Sequence, residues 1–270
     1  MSSLFAIFGN PVSHSKSPLM HNATFKALDI DSCYARYMLT DGERLREKFL
    51  SLGLSGANIT VPHKEHAYRA CDYLDEFAQK VGSVNTIVQR DGKLHGYNTD
   101  APGFLRAISE FEDIKRVLFI GAGGTAQSTS VVLRDAGYDV TIINRTPARL
   151  ERYIADGFIC YSFDELLSMD MNQIERFDLV VNMTSAGLED DSLPAPIKIL
   201  NEFLPHSKAC VDVIYGKQTP FLRLAKELNK DTKDGSDMLL YQGIIAFEHF
   251  TNYSYDFNQI LPHMRRVFDF

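Results

Sequence analysis

Two short runs hold the residues of this chain best suited to chemistry. Residues 58–64 read Asn-Ile-Thr-Val-Pro-His-Lys, and residues 94–100 read Leu-His-Gly-Tyr-Asn-Thr-Asp. Each run ends a strand-like stretch, so each should deliver a charged group, Lys64 or Asp100, to the carboxyl edge of a sheet. A lysine and an aspartate brought together make an acid/base pair. Oxidising a secondary alcohol removes a hydroxyl proton while hydride leaves the carbon, and the reverse reaction protonates a carbonyl oxygen. Lysine can serve in both directions. Lys64 stands just after Pro62, in what should be the first turn of a helix, whose dipole disfavours the charged form. A contacting Asp100 would favour that form and fix the geometry. The alternatives are a solvated surface lysine and an aspartate that caps a helix starting at Ala101.

A second constellation concerns a dinucleotide. Gly121, Ala122, Gly123, Gly124 and Thr125 follow an apolar strand at 116–120 and precede a helical stretch. The first glycine allows a tight turn, and the second lets the backbone approach a pyrophosphate at the helix amino end. About 20 positions on, an acid would accept hydrogen bonds from the ribose 2′-hydroxyl of NAD. This chain has Asn144, Arg145 and Thr146 there, followed by Pro147, Ala148 and Arg149. Thr146 and Pro147 read as N-cap and first residue of a helix, so Arg145 and Arg149 flank its positive end. Two cations there oppose the helix dipole. A 2′-phosphate between them would remove the conflict, which points to NADP(H). Pairing of Arg149 with an acid such as Glu151 is the alternative. A polar acid/base site combined with a dinucleotide site reads as a hydride-transfer enzyme acting on a small hydroxylated molecule.

Alternating strands and helices must position these groups. Residues 4–8 read as a buried strand, and Ser17-Pro18 opens a helix with Ser17 as N-cap. Strands follow at 33–39 and 57–60, with a helix at 43–52 between them. Strands at 84–89 and 94–99 are joined by the turn Asp91-Gly92. A helix over 101–111 links this unit to four apolar strands at 117–120, 140–143, 179–182 and 210–214, the last ended by Tyr215. Intervening helical stretches make a parallel doubly wound sheet. After Gly235 the pattern is helical to the end.

Composition narrows the function classes. The 270 residues are 45% hydrophobic with net charge −7, which argues against general nucleic-acid binding. Residues 1–9 carry no basic segment before their apolar run, so no secretory signal is expected. No apolar stretch is long enough to span a bilayer. The four cysteines, Cys33, Cys71, Cys160 and Cys210, are far apart, which suits buried thiols in a reduced cytoplasmic protein. No metal is expected. His14, His21, His63 and His66 match no ligand spacing, and His63 and His66 read as surface residues of one helix face.

Six blocks also carry a family resemblance. Residues 9–18 (Gly-Asn-Pro-Val-Ser-His-Ser-Lys-Ser-Pro), 58–64, 82–86 (Gly-Ser-Val-Asn-Thr), 96–100, 144–146 and 235–243 resemble shikimate dehydrogenases, in the family's order across nearly the whole chain. The resemblance implies an α/β protein of two domains. Residues 1–101 plus about 237–270 would form the substrate-binding and catalytic domain. Residues 102–236 would form a Rossmann-type NADP domain, with the C-terminal helices packing back on the first. It implies Lys64 and Asp100 as the catalytic pair, with Ser15, Ser17, Thr60, Asn85 and Gln242 holding the carboxylate and ring hydroxyls of shikimate. Tyr215 would close the pocket between the domains, and Gly235 joins the cofactor residues. One departure stands at residues 125–128, where the family often has small residues and an arginine. The implied reaction is NADPH-linked reduction of 3-dehydroshikimate to shikimate, by a cytoplasmic monomer or homodimer with no nucleic-acid or membrane partner. The alternatives are a dehydrogenase that also accepts quinate or NAD, and a non-catalytic dinucleotide sensor. A sensor needs no acid/base pair.

Overall fold

The computed structural model describes residues 3–170 and 173–268. The chain divides into two compact units. One runs to Gly103 and resumes at Leu240, and the other spans Phe104–Leu239. Among the described residues, each is built on a six-stranded sheet.

In the first unit, β1 (Ser3–Gly9) is the apolar run expected of a central strand and is buried along most of its length. It pairs in parallel with β2 (Ser32–Met38) and β3 (Gly56–Ile59). The sheet continues through β5 (Thr86–Arg90), β6 (Lys93–Tyr97) and the edge strand β4 (Tyr73–Leu74), in the order β2-β1-β3-β5-β6-β4. β5 runs antiparallel to both neighbours and joins β6 through Asp91-Gly92. That reversal sets the site. It brings the end of β3, the start of β5 and the end of β6 to one edge of the sheet.

One face of this sheet buries Phe8, Ile59 and Ile87 against Leu45 and Phe49 of α2 (Leu45–Ser51). On the other face Phe5 of β1 meets Phe25 of α1 (Ser17–Ala27) and Phe250 of α11 (Ser236–Phe250), and α12 (Phe257–Arg265) in turn meets α1. Phe25 of α1 lies between Phe5 and Phe247, with ring centroids 5.3 and 5.0 Å away. α12 packs on α1, so the C-terminal helices return to the first unit. Two further helices, α3 (Lys64–Ala70) and α4 (Glu76–Val81), flank β4.

The second unit contains β7 (Arg116–Ile120), β8 (Asp139–Asn144), β9 (Ile159–Ser162), β10 (Leu179–Asn182), β11 (Ala209–Asp212) and β12 (Asp231–Lys233). They pair in parallel in the order β12-β11-β10-β7-β8-β9. This is the doubly wound order, which reverses between β7 and β10. Helices cover both faces, so the inner strands are continuously apolar. The edge strands β9 and β12 include polar residues, and the sequence reading missed both. It found only the four inner strands.

The structure corrects several local expectations. Ser17 is the first helical residue of α1, and Lys16 occupies the N-cap without a side-chain cap. The cap-like bond comes from Ser15, whose hydroxyl accepts from the Ser17 N–H at 3.2 Å. β11 ends at Asp212, so Tyr215 lies beyond the strand, in the loop before α10 (Pro220–Glu227). The helix expected after Thr146 begins as a single 3₁₀ turn, Pro147–Arg149, which hands over to α7 (Glu151–Ala155). So short a turn has little dipole for Arg145 and Arg149 to oppose. His63 is buried, its Nε2 2.6 Å from the Leu39 carbonyl, and it precedes α3 instead of lying on its face. Cys33 is exposed, and Cys71 and Cys160 are half-buried. No helix among the described residues is long and apolar enough to cross a membrane.

Candidate active site

The polar edge of the first sheet is a continuous hydrogen-bonded network. Asn58, near the end of β3, stands in register with Thr86 at the start of β5. Its amide donates to the Thr86 hydroxyl at 3.0 Å, and its carbonyl oxygen accepts from the Tyr34 phenol at 2.7 Å. Burial pushes that phenol well above its ordinary value, and the Ser17 side chain lies within its reach. Asn85 donates to the Thr99 hydroxyl at 3.0 Å and accepts from the Thr99 N–H at 2.7 Å. Thr99 Oγ1 in turn lies 3.5 Å from Gln242 Oε1 on α11. A Cβ on Gly103 would stand only 2.6 Å from the Gln242 nitrogen, so glycine is what lets α11 approach α5 (Asp100–Ile108) this closely. Buried polar groups are satisfied as a set, which holds a polar edge rigid in an apolar unit.

Lys64 and Asp100 lie at this edge. Lys64 opens α3, Asp100 opens α5, and Lys64 Nζ donates to Asp100 Oδ2 at 2.5 Å. Their side chains keep 20% and 13% of their surface exposed, so the pair is sheltered yet reachable. Asp100 is not the cap of α5. The carbonyl oxygen of Asn98 accepts from the Ala101 N–H at 3.4 Å, which leaves Asp100 for the lysine. Thr60 follows β3, with its N–H bonded to the Phe8 carbonyl at 2.8 Å. Ser15 is buried, and its carbonyl is pinned by Arg36 at 2.6 Å. The first unit therefore holds Lys64, Asp100, Asn85, Thr60, Gln242, Ser15 and Ser17, and contacts join Lys64 with Asp100, Asn85 with Gln242 through Thr99, and Ser15 with Ser17.

The second unit holds the remaining residues. Gly121, at φ +114°, follows β7 at a point where a side chain would meet Thr184. A Cβ on Gly123 or Gly124 would face open space at the amino end of α6 (Gly124–Asp135). Bare backbone N–H groups at the start of a helix of this length make a fitting seat for a pyrophosphate, with Thr125 in the first turn. Asn144 ends β8, and its amide donates to the Thr146 carbonyl at 3.0 Å. Arg145 and Arg149 are exposed and make no ion pair among the described residues, including with Glu151. The residues fit a cofactor with a 2′-phosphate, since β8 ends on Asn144 instead of an acid and two cations without an ion-pair partner among the described residues follow it. Gly235 donates its N–H to the Ile214 carbonyl at 2.9 Å, beside the loop that carries half-buried Tyr215.

Sequence reasoning passed over four members of the polar network: Tyr34, Asn58, Thr86 and Thr99. The last three lie inside the quoted blocks. Their signal was available, since each is a polar residue at a strand end where the chain turns buried. Tyr34 gave none, because its partner is 24 residues away. Tyr153 was also missed. Its buried hydroxyl donates to the Gly123 carbonyl at 3.0 Å and ties α7 to the glycine turn.

Known proteins match nearly the whole length of this chain. Residues 7–87 match the shikimate dehydrogenase substrate binding domain, and residues 106–189 match the shikimate / quinate 5-dehydrogenase family model. A shikimate dehydrogenase (NADP(+)) of Helicobacter hepaticus is 42% identical over 257 residues, covering 95% of this chain and 94% of its own. One from Helicobacter pylori is 39% identical, with 98% of each chain covered. Among solved structures, shikimate 5-dehydrogenase from Thermus thermophilus, in complex with NADP(H) and shikimate, is similar with a TM-score of 0.83. It is 33% identical and covers 98% of this chain and 99% of its own. Fold and these likenesses agree, and the chain belongs to the shikimate dehydrogenase family.

Proposed function

We propose that this chain is an NADP-dependent shikimate dehydrogenase that reversibly reduces 3-dehydroshikimate to shikimate. The observation that carries the reading is the contact between Lys64 Nζ and Asp100 Oδ2 at a buried polar edge. In reduction, Lys64 donates a proton to the carbonyl oxygen. In oxidation, it takes the hydroxyl proton back. Asp100 accepts a hydrogen bond from Nζ in both directions and so limits the lysine to few rotamers. NADPH, when bound, supplies the hydride.

The other residues bind and orient. Ser15 and Ser17 offer hydroxyl donors to the substrate carboxylate, with Tyr34 and Arg36 supporting them from behind. Thr60, Asn85 and Gln242 take the ring hydroxyls, and Tyr215 completes the substrate set. On the cofactor, Gly121, Ala122, Gly123, Gly124 and Thr125 seat the pyrophosphate. Asn144, Arg145, Thr146 and Arg149 take the 2′-phosphate side, and Gly235 shapes the neighbouring backbone. The enzyme is placed in a reducing cytoplasm, as a monomer or homodimer, among the reactions that lead to aromatic amino acids. Its cysteines are all free.

Initial rates with shikimate and quinate, each with NADP and with NAD, test the reading. The expected result is highest turnover for shikimate with NADP. Comparable rates with quinate or NAD would mean relaxed choice, and no turnover with any pair would overturn the assignment.

A further inference from the structure

We propose that Asp212 is a positioning residue for the second half of the dinucleotide site. It holds Thr184 against the glycine turn through Asn182, and it fixes the loop that carries Tyr215. This rests on the proposed NADP-linked function.

The geometry begins at the topological switch point. Strand order reverses between β7 and β10, and dinucleotides lie across the carboxyl ends of strands at such a point. The glycine turn after β7 and the helix after it serve one half of the cofactor. The loops after β10 and β11 then border the other half. Asn182 and Asp212 are the last residues of those two strands and stand opposite each other in register.

Asp212 is fully buried and makes no ion pair among the described residues. Its carboxylate accepts three hydrogen bonds from three segments. Thr219, the N-cap of α10, donates at 2.7 Å, Asn182 at 3.0 Å and the Ile214 N–H at 2.9 Å. Burial pushes the carboxyl up, as expected where no cation offsets desolvation. A buried carboxylate without a cation is a poor choice for sheet stability alone. What it does provide is three acceptor directions at one point, which an apolar residue cannot.

The connection then runs to the turn. With its amide donating to Asp212 and, at 3.4 Å, to the Ala186 carbonyl, Asn182 presents its oxygen to Thr184, accepting from the N–H at 2.9 Å and the hydroxyl at 2.7 Å. That fixes Thr184 so that its methyl fills the space beside Gly121, 2.6 Å from where a Cβ would be. The Ile214 amide bond likewise fixes the backbone just before Tyr215.

Asp212→Asn preserves shape but leaves one acceptor where the carboxylate has two, so its new amide donor must oppose either the Asn182 amide at one oxygen position or the Ile214 N–H at the other. The double change Asn182→Asp with Asp212→Asn restores a carboxylate–amide pair in the opposite sense, the Thr219 hydroxyl can then accept, and only the long 3.4 Å bond to the Ala186 carbonyl is given up. Turnover, melting, and affinities for NADP and for 2′-phospho-ADP-ribose, which lacks nicotinamide, are measured for all three proteins. In Asp212→Asn, NADP-linked turnover should fall roughly tenfold or more, as small misplacements do. The ratio of NADP affinity to 2′-phospho-ADP-ribose affinity should fall with it, and the double change should recover both. Unchanged turnover in Asp212→Asn overturns the proposal. So does a parallel loss of both affinities, which would mean that Asp212 serves only the fold. Recovery of melting without recovery of turnover also overturns it. If the unaltered protein turns over no shikimate, the functional reading fails, and the affinity ratio still decides the role of Asp212.

Discussion

Lys64 draws its geometry from one partner. With Asp100 at 2.5 Å, its amine has a defined direction that a solvated lysine lacks. Lys64→Ala should lower kcat by about 10²–10⁴-fold, the usual share of a general acid/base group, with the shikimate KM nearly constant. Near-normal turnover would remove Lys64 from the mechanism. The two serines should separate in a way the sequence did not suggest. Ser15→Ala and Ser17→Ala should each raise the shikimate KM, since a hydrogen bond to a charged group is worth roughly 1.5–3 kcal/mol. Ser15→Ala should also lower stability more than Ser17→Ala, because it is the Ser15 hydroxyl that accepts the Ser17 N–H. Steady-state kinetics read beside melting curves check both statements. A larger melting loss for Ser17→Ala would restore Ser17 as the helix cap.

At the scale of elements, the segment after β8 decides the cofactor. The Asn144 amide bonds the Thr146 carbonyl, the 3₁₀ turn follows, and Arg145 and Arg149 are left exposed without acidic partners among the described residues. Replacing both arginines by glutamine should weaken NADP binding and leave NAD binding where it was. The loss should shrink as salt rises, because exposed charges are screened beyond about 10 Å at 0.1 M ionic strength. Titrations with both cofactors at two salt concentrations test this. Equal losses for NADP and NAD would mean that the arginines support the fold. Neither the length nor the dipole of the turn matters to this outcome. It rests on charge alone.

Over the whole molecule, acid should be the first stress to act. His21 is fully buried, stacked on Tyr34 with ring centroids 4.4 Å apart, and neither ring nitrogen has a hydrogen-bond partner. Burial lowers its pKa to about 3, against a weaker opposing pull from Asn58, whose amide is engaged elsewhere. The unfolded chain leaves this histidine near 6.5, so between about pH 6.5 and 3 only the unfolded state takes the proton. Its contribution is intact above that window. Stability then falls as pH drops through it, by about 1.4 kcal/mol per pH unit. His249, lowered to about 4 by burial, adds to the slope down to that pH. His21→Phe keeps an aromatic in the stack and should remove one proton from the dependence. Urea unfolding at pH 7, 6 and 5 measures this, and equal slopes for variant and parent would refute the assignment to His21.

Local pattern was enough for the inner strands, the glycine turn, the Asp91-Gly92 hairpin and the ordered blocks that mark the family. Those features rest on periodicity and turn chemistry, which act over a few residues. The same reasoning missed the edge strands β9 and β12, because strands packed on one side carry polar residues and lose the apolar run. It placed a cap on Ser17 and a surface on His63, since neither the Ser15 hydroxyl nor the Leu39 carbonyl can be located from neighbours in sequence. Only the tertiary structure joined Tyr34, Asn58, Thr86, Asn85, Thr99 and Gln242 into one network, across separations as long as 143 residues. The physical reason is burial. Once a polar side chain leaves water it must find a partner, and which partner it finds is set by strand order and helix packing, not by the residues beside it in the chain.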